Sequence, residues 1–153
     1  MFNETEDKCN LVVNEICSNM DAVVNTLSQY KNPQSINNLT DEQMYSAILE
    51  IGLVVYNMQV RLETIGIKSD VAKILLEYRQ SEVKANMSGK ISDKESAAIL
   101  NSTMEQENAV IYNRAYRSIK GKIDVAMELI NSLKKIVSDR IENKKLAYGK
   151  EYK

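Results

Sequence analysis

The stretch Asn86-Met87-Ser88-Gly89-Lys90-Ile91-Ser92-Asp93-Lys94-Glu95 decides the fold. Gly89 suits a left-handed helix end. Ser92 followed three residues later by Glu95 spells a capping box that opens the next helix. A turn this short, over about residues 88–92, forces the two helices it joins to pack antiparallel.

Upstream of the turn, Met44, Ile48, Ile51, Val55, Met58, Leu62 and Ile65 alternate steps of four and three residues, the signature of a heptad seam. Thr40 with Gln43 forms a capping box ahead of it, and Asp41 and Glu42 favour the positive end of the helix dipole. Past Gly66 the register shifts and Val71, Ile74, Leu75 and Tyr78 carry the seam on. The expectation is one helix over about 40–87, bent or frayed near Gly66. Downstream, Ala98, Met104, Ile111, Ala115, Ile119, Ile123, Ala126, Ile130, Leu133, Val137 and Ile141 line one helix over about 93–146, followed by a basic tail that frays. The apolar stripe thins near Glu105-Gln106-Glu107-Asn108, so a hairpin tip there buries little by itself and self-association is expected.

A further helix over about 4–30 carries Cys9, Val13, Ile16, Met20, Val23, Leu27 and Tyr30 at the same spacing. It is joined to the hairpin by a linker over 31–39 that holds Pro33, the one proline. The fold expected for residues 1–153 is a single all-α domain. It is an elongated, coiled-coil-like antiparallel helical hairpin with an N-terminal amphipathic helix packed against it in a bundle. Composition agrees: five glycines, one phenylalanine and no tryptophan suit long helices better than a turn-rich sheet. Cys9 and Cys17 stand about 12 Å apart on one helix, too far to bridge, and read as buried thiols.

No apolar run reaches transmembrane length and the acidic start Asn3-Glu4-Thr5-Glu6-Asp7 is unlike a secretory signal, so the expected location is the cytoplasm of a bacterial host cell. The chain has no histidine, which removes the usual general base, the commonest metal ligand and every Ser–His or Cys–His nucleophile pair. The glycines are scattered, so no phosphate loop is formed. Di-iron carboxylate bundles need Glu-x-x-His pairs that this chain lacks. The expectation is a protein that is not an enzyme and uses no cofactor and no metal.

Charge is uneven along the chain. Residues 1–60 hold eight acids against two bases, and residues 113–153 hold eleven bases against five acids. The densest basic stretch is Tyr112-Asn113-Arg114-Ala115-Tyr116-Arg117-Ser118-Ile119-Lys120-Gly121-Lys122. Arg114, Arg117, Lys120 and Lys122 can share a helical side beside Tyr112 and Tyr116, and Lys73, Arg79 and Lys84 lie across the hairpin. Cations that follow a backbone beside rings that stack on bases are what loose single-strand binding uses. A second basic group is Lys134, Lys135, Arg140, Lys144 and Lys145. The bland reading is a solvated face, or electrostatic pairing of the basic helix with the acidic first helix.

From about Met58 to Asn143 the layout resembles a family. A helix ends in Leu76-Glu77-Tyr78-Arg79-Gln80-Ser81-Glu82-Val83-Lys84. A glycine turn and a restart follow, then a long helix with Tyr112-Asn113-Arg114-Ala115-Tyr116 and a close at Ser132-Leu133-Lys134-Lys135-Ile136-Val137-Ser138-Asp139-Arg140. This pattern is similar to phage recombination mediators of the UvsY type. The resemblance implies a ring-like homo-oligomer that loads a recombinase on single-stranded DNA. It places phosphate contacts at Arg114, Arg117, Lys120 and Lys122 and stacking at Tyr112 or Tyr116. A second expectation is a phage or mobile-element protein that binds and inhibits a host protein such as a bacterial defence nuclease, of the anti-CRISPR type. In that reading the acidic residues Glu4, Glu6, Asp7, Glu15 and Asp21 form the contact surface. A third is a structural or assembly protein with affinity for neither.

Overall fold

In a computed structural model, the described backbone covers residues 2–28 and 38–150, and the described side chains cover 4–18, 20–21 and 38–146. The described residues form four helices and no strand: α1 (Phe2–Ser28), α2 (Asp41–Asn86), α3 (Ile91–Asn101) and α4 (Thr103–Lys150). The two long helices, α2 and α4, pack antiparallel with α1 alongside, as the short turn at Gly89 requires. Among the described residues Gly89 is the one with positive φ, at 124°, a conformation that L side chains resist.

The chain divides into two compact units, each built from parts of all three longer helices. The first unit comprises Met1–Ile16 and Val60–Lys120, and the second Cys17–Gln59 and Gly121–Lys153.

The second unit has the fuller core. Met44, Ala47, Ile51, Val55 and Met58 of α2 are buried with Ile123, Ala126, Ile130, Leu133 and Val137 of α4 and Cys17 and Met20 of α1. The entry to α2 is strongly specified. The expected capping box forms in both directions: the Thr40 amide donates to Gln43 Oε1 at 2.9 Å, and the Gln43 amide donates to Thr40 Oγ1 at 3.2 Å. Leu39, just before the cap, is buried with Met44 and Val137, a hydrophobic staple that fixes the entry angle of the chain. From α4, Arg140 Nη1 donates to the Leu39 carbonyl at 2.6 Å, and Arg140 and Lys144 grip the Asp41 carboxylate at 3.2 and 2.7 Å. Those hydrogen bonds hold the Asp41 carboxyl below its usual range.

The first unit buries Cys9 and Val13 of α1, Ile65, Ser69 and Ala72 of α2, Ala98 of α3, and Ile111, Ala115 and Ile119 of α4. None of residues 73–97 is buried. At the other end of α1, Glu107 of α4 accepts from Lys8 Nζ at 2.9 Å and from Thr5 Oγ1 at 3.1 Å, and its carboxyl is lowered by them.

Several sequence expectations are corrected. The seam of α2 does not shift past Gly66. Helix 41–86 is unbroken there, and the buried line continues through Ser69 and Ala72. Val71, Ile74, Leu75 and Tyr78 therefore lie on the opposite side of the helix, 48–68% exposed. Gly66 serves close packing instead: a β-carbon there would stand 3.3 Å from the Tyr116 ring. The expected single helix over 93–146 is broken at Ser102. The Ser92–Glu95 capping box does not form, because the helix begins at Ile91, two residues earlier than that box would start it, after Lys90, which supplies no side-chain cap. The basic tail is helical to Lys150. Met104 and Ile141 fall outside the seam and are exposed. Val23, Leu27, Tyr30 and the linker residues 31–37 lie outside the described side chains.

The break at Ser102 has a local cause. Asn101, Ser102 and Thr103 all turn their side chains onto carbonyls of the preceding turn, at Ala97, Ile99 and Leu100, and so compete with helical backbone bonding. Ser102 is fully buried, and its hydroxyl accepts from Gln106 Nε2 at 2.9 Å and from Gln80 Nε2 of α2 at 3.5 Å.

Candidate nucleic-acid interface

In the first unit, α2 and α4 run past one another with small residues on α2 opposite tyrosines on α4, and this leaves grooves along the helix pair. One groove of about 260 Å³ is lined by Gly66, Ser69, Asp70 and Lys73 of α2 and Asn113, Tyr116 and Arg117 of α4. The absence of a side chain at Gly66 lets the half-buried Tyr116 ring lie against the α2 backbone. Lys73 pairs with Asp70 of its own helix at 3.3 Å, an exposed i,i+3 contact that contributes little to stability. Arg117 is exposed and makes no ion pair among the described residues, as does Lys120 one turn on. The groove thus presents two cations beside one ring, with a single carboxylate opposing them.

The other basic-stretch residues are distributed elsewhere. Tyr112 is half-buried with the Lys68 ammonium 5.8 Å from its ring centroid, inside the cation–π range. It lines a different groove, with Ile67, Val71, Leu75 and Glu105. Arg114 is exposed in acidic company, in a groove with Glu6 and Glu107. Lys122 belongs to the second unit, where its ammonium donates to both Asp21 oxygens at 2.8 and 2.9 Å. Of the six residues singled out in the basic stretch, the structure brings only Tyr116 and Arg117 into one groove, and Lys73 joins them from across the hairpin.

The acidic set is also divided. Glu4, Glu6, Asp7 and Glu15 of α1 are exposed, and Asp21, half-buried, pairs with Lys122. The expected pairing of acidic α1 with basic α4 therefore occurs within the chain at Asp21–Lys122. At Lys8–Glu107 the same helices pair with the signs reversed. In the C-terminal basic group, Arg140 and Lys144 are held at Asp41, whereas Lys134, Lys135 and Lys145 are exposed.

Sequence reading missed the buried Ser102–Gln80–Gln106 network and the Arg140–Lys144–Asp41 clamp. The run Asn101-Ser102-Thr103 was a usable signal for the first. The second needed the register of α4 on α2, which no local pattern carries. Cys9 and Cys17 are buried free thiols, and burial pushes both upward, away from the reactive thiolate. Among the described residues no group of three metal-ligating side chains converges, and no helix is long and apolar enough to cross a membrane. No family model, curated protein or solved structure matches the chain.

Proposed function

We propose that this chain is a non-enzymatic helical protein that contacts single-stranded nucleic acid, as an accessory of the recombination-mediator kind. The observation that carries the reading is the groove of the first unit, where Lys73 and Arg117 flank the Tyr116 ring. Cations along a groove follow a phosphate backbone, and a tyrosine ring that lines it offers a stacking partner to a base, without reading sequence. Lys120 extends the same positive side by one turn of α4. The absence of histidine and the resemblance in layout to UvsY-type mediators support the same reading.

The test is a fluorescence anisotropy titration of a labelled oligothymidylate at several salt concentrations. Lys73→Ala with Arg117→Ala is expected to weaken binding at least tenfold and to flatten the dependence of log affinity on log salt by about 0.7 per lost contact. Arg114→Ala, removed from the groove, serves as the control and changes binding little. Wild-type affinity in the Lys73/Arg117 variant refutes the reading. A second reading has the exposed acids Glu6, Asp7 and Glu15 of α1 meeting a basic protein surface. It predicts no oligonucleotide binding and loss of a protein partner on Glu6→Lys with Glu15→Lys.

A further inference from the structure

We infer that the outer face of α2 in the first unit is a second coiled-coil seam, and that its occupant is the same face of another copy of this chain, running parallel. The seam comprises Val60, Thr64, Ile67, Val71, Ile74 and Tyr78, whose steps alternate four and three residues. It lies across the helix from the buried line Ile65, Ser69 and Ala72. The exposures are 54% at Val60, 62% at Ile67, 48% at Val71, 64% at Ile74 and 68% at Tyr78, and neighbouring Leu75 adds 54%. A helix that is apolar on two opposite faces needs a partner on each. Here α4 covers one, and on the other α4 only borders Ile67, Val71 and Leu75 through Tyr112 in an open groove, leaving those side chains about half exposed or more.

The flanks of the seam identify the partner. In heptad terms the positions just before the Thr64–Val71–Tyr78 line are Glu63, Asp70 and Glu77, all acidic and exposed. The positions just after the Val60–Ile67–Ile74 line are Arg61, Lys68 and Leu75. In a parallel coiled coil these two flanks face each other between chains, whereas in an antiparallel one each faces its own kind. Parallel pairing therefore sets Glu63 of one copy against Lys68 of the next, whose ammonium also stands 5.8 Å from the Tyr112 ring centroid of its own chain. Antiparallel pairing sets the acidic flank against itself. Glu77 meets Glu82 in the parallel arrangement, but Glu82 already has Arg79 at 2.6 Å. A helix face that carries both Glu63 and Lys68 is self-complementary at that pair, as closed symmetric assembly requires. β-Branched residues on both lines of the seam allow three strands as well as two.

The area suffices. At about 100 Å² of apolar surface per half-exposed aliphatic or aromatic side chain, the five exposed seam residues and Leu75 present on the order of 600 Å² per copy. Two such faces bury about 1,200 Å², the lower edge of specific interfaces.

The experiment is size exclusion with light scattering over a wide concentration range, with circular dichroism as the fold control. The wild-type chain is expected at the mass of two or three copies. Ile67→Lys with Ile74→Lys, both at exposed sites, is expected at the mass of one copy with unchanged helicity. A wild-type chain that stays monomeric at the highest attainable concentration overturns the inference, and so does a double variant that assembles like wild type. Orientation is read from charge reversal. Glu63→Lys weakens a parallel assembly at least several-fold, and Lys68→Glu added to it restores the affinity. A Glu63→Lys variant that assembles more tightly than wild type overturns the parallel arrangement.

Discussion

Single glycines show how a residue's role depends on what stands opposite it. Gly52 sits inside α2 with nothing among the described residues within 4 Å of where a β-carbon would be. Gly52→Ala is expected to raise stability by about 0.5–1 kcal/mol, because alanine loses less backbone entropy in a helix. Gly66, in the same helix, faces the Tyr116 ring, which would lie 3.3 Å from an added β-carbon. Gly66→Ala should recover little or none of that gain. Chemical denaturation of the two variants side by side checks this, and equal stabilisation would mean that the ring gives way freely. From sequence, Gly66 read as a bend. The residue alone does not distinguish a weak point in a helix from a seat for a neighbouring ring, since only the partner helix supplies the ring.

At the scale of the element, the start of α2 was legible and its consequences were not. Thr40 and Gln43 pair reciprocally because both groups belong to one short segment. Thr40→Ala should cost about 1 kcal/mol, measured by thermal unfolding. Asp41 next to the cap is different, since its partners Arg140 and Lys144 come from the far end of the chain. Its carboxyl, like that of Glu107 under Lys8 and Thr5, is depressed in the folded state. A depressed carboxyl contributes stability at pH values above its unfolded pKa, and that contribution is lost as pH falls through the lower folded value. Wild type should therefore lose more stability between neutral pH and acid than an Asp41→Asn, Glu107→Gln variant, each compared with its own neutral-pH stability by chemical denaturation. An identical acid profile would show that neither pair contributes. The helix break at Ser102 was missed because apolar periodicity continues through Ala98 to Ile111, while the interruption comes from three adjacent hydroxyl and amide side chains.

Across the whole molecule, burial is unequal. In the second unit, Met44 and Ile51 are fully buried. In the first unit, no side chain from 73 to 97 is buried, and α2 there exposes Ile74, Leu75 and Tyr78. Local opening follows buried contact, so amide exchange in dilute solution should be fastest over residues 73–97 and slowest around Met44, Ile51 and Ile130. If the outer face of α2 is the seam inferred above, raising the protein concentration should slow exchange over residues 60–78 in particular. Uniform exchange rates along α2 would count against this account of where the core lies. Met44→Ala should cost about 2–5 kcal/mol, as expected for a large side chain truncated in a filled core.

The sequence by itself determined the all-helical class, the reversal at Gly89, the capped start of α2 and the inner seam from Met44 to Ile65, because each is written in a glycine, a local cap or a period that repeats along one stretch of chain. It also located the basic stretch, since charge can be counted without a structure. Tertiary structure decided which of those charges are available. Lys122, Arg140 and Lys144 are bound to carboxylates contributed by distant segments, Arg114 stands among acids, and Arg117 is left beside Lys73 and Tyr116. It decided as well that Val71, Ile74 and Tyr78 face outward. Two apolar faces on one helix give the same local pattern, and only the position of α4 selects the one that is covered.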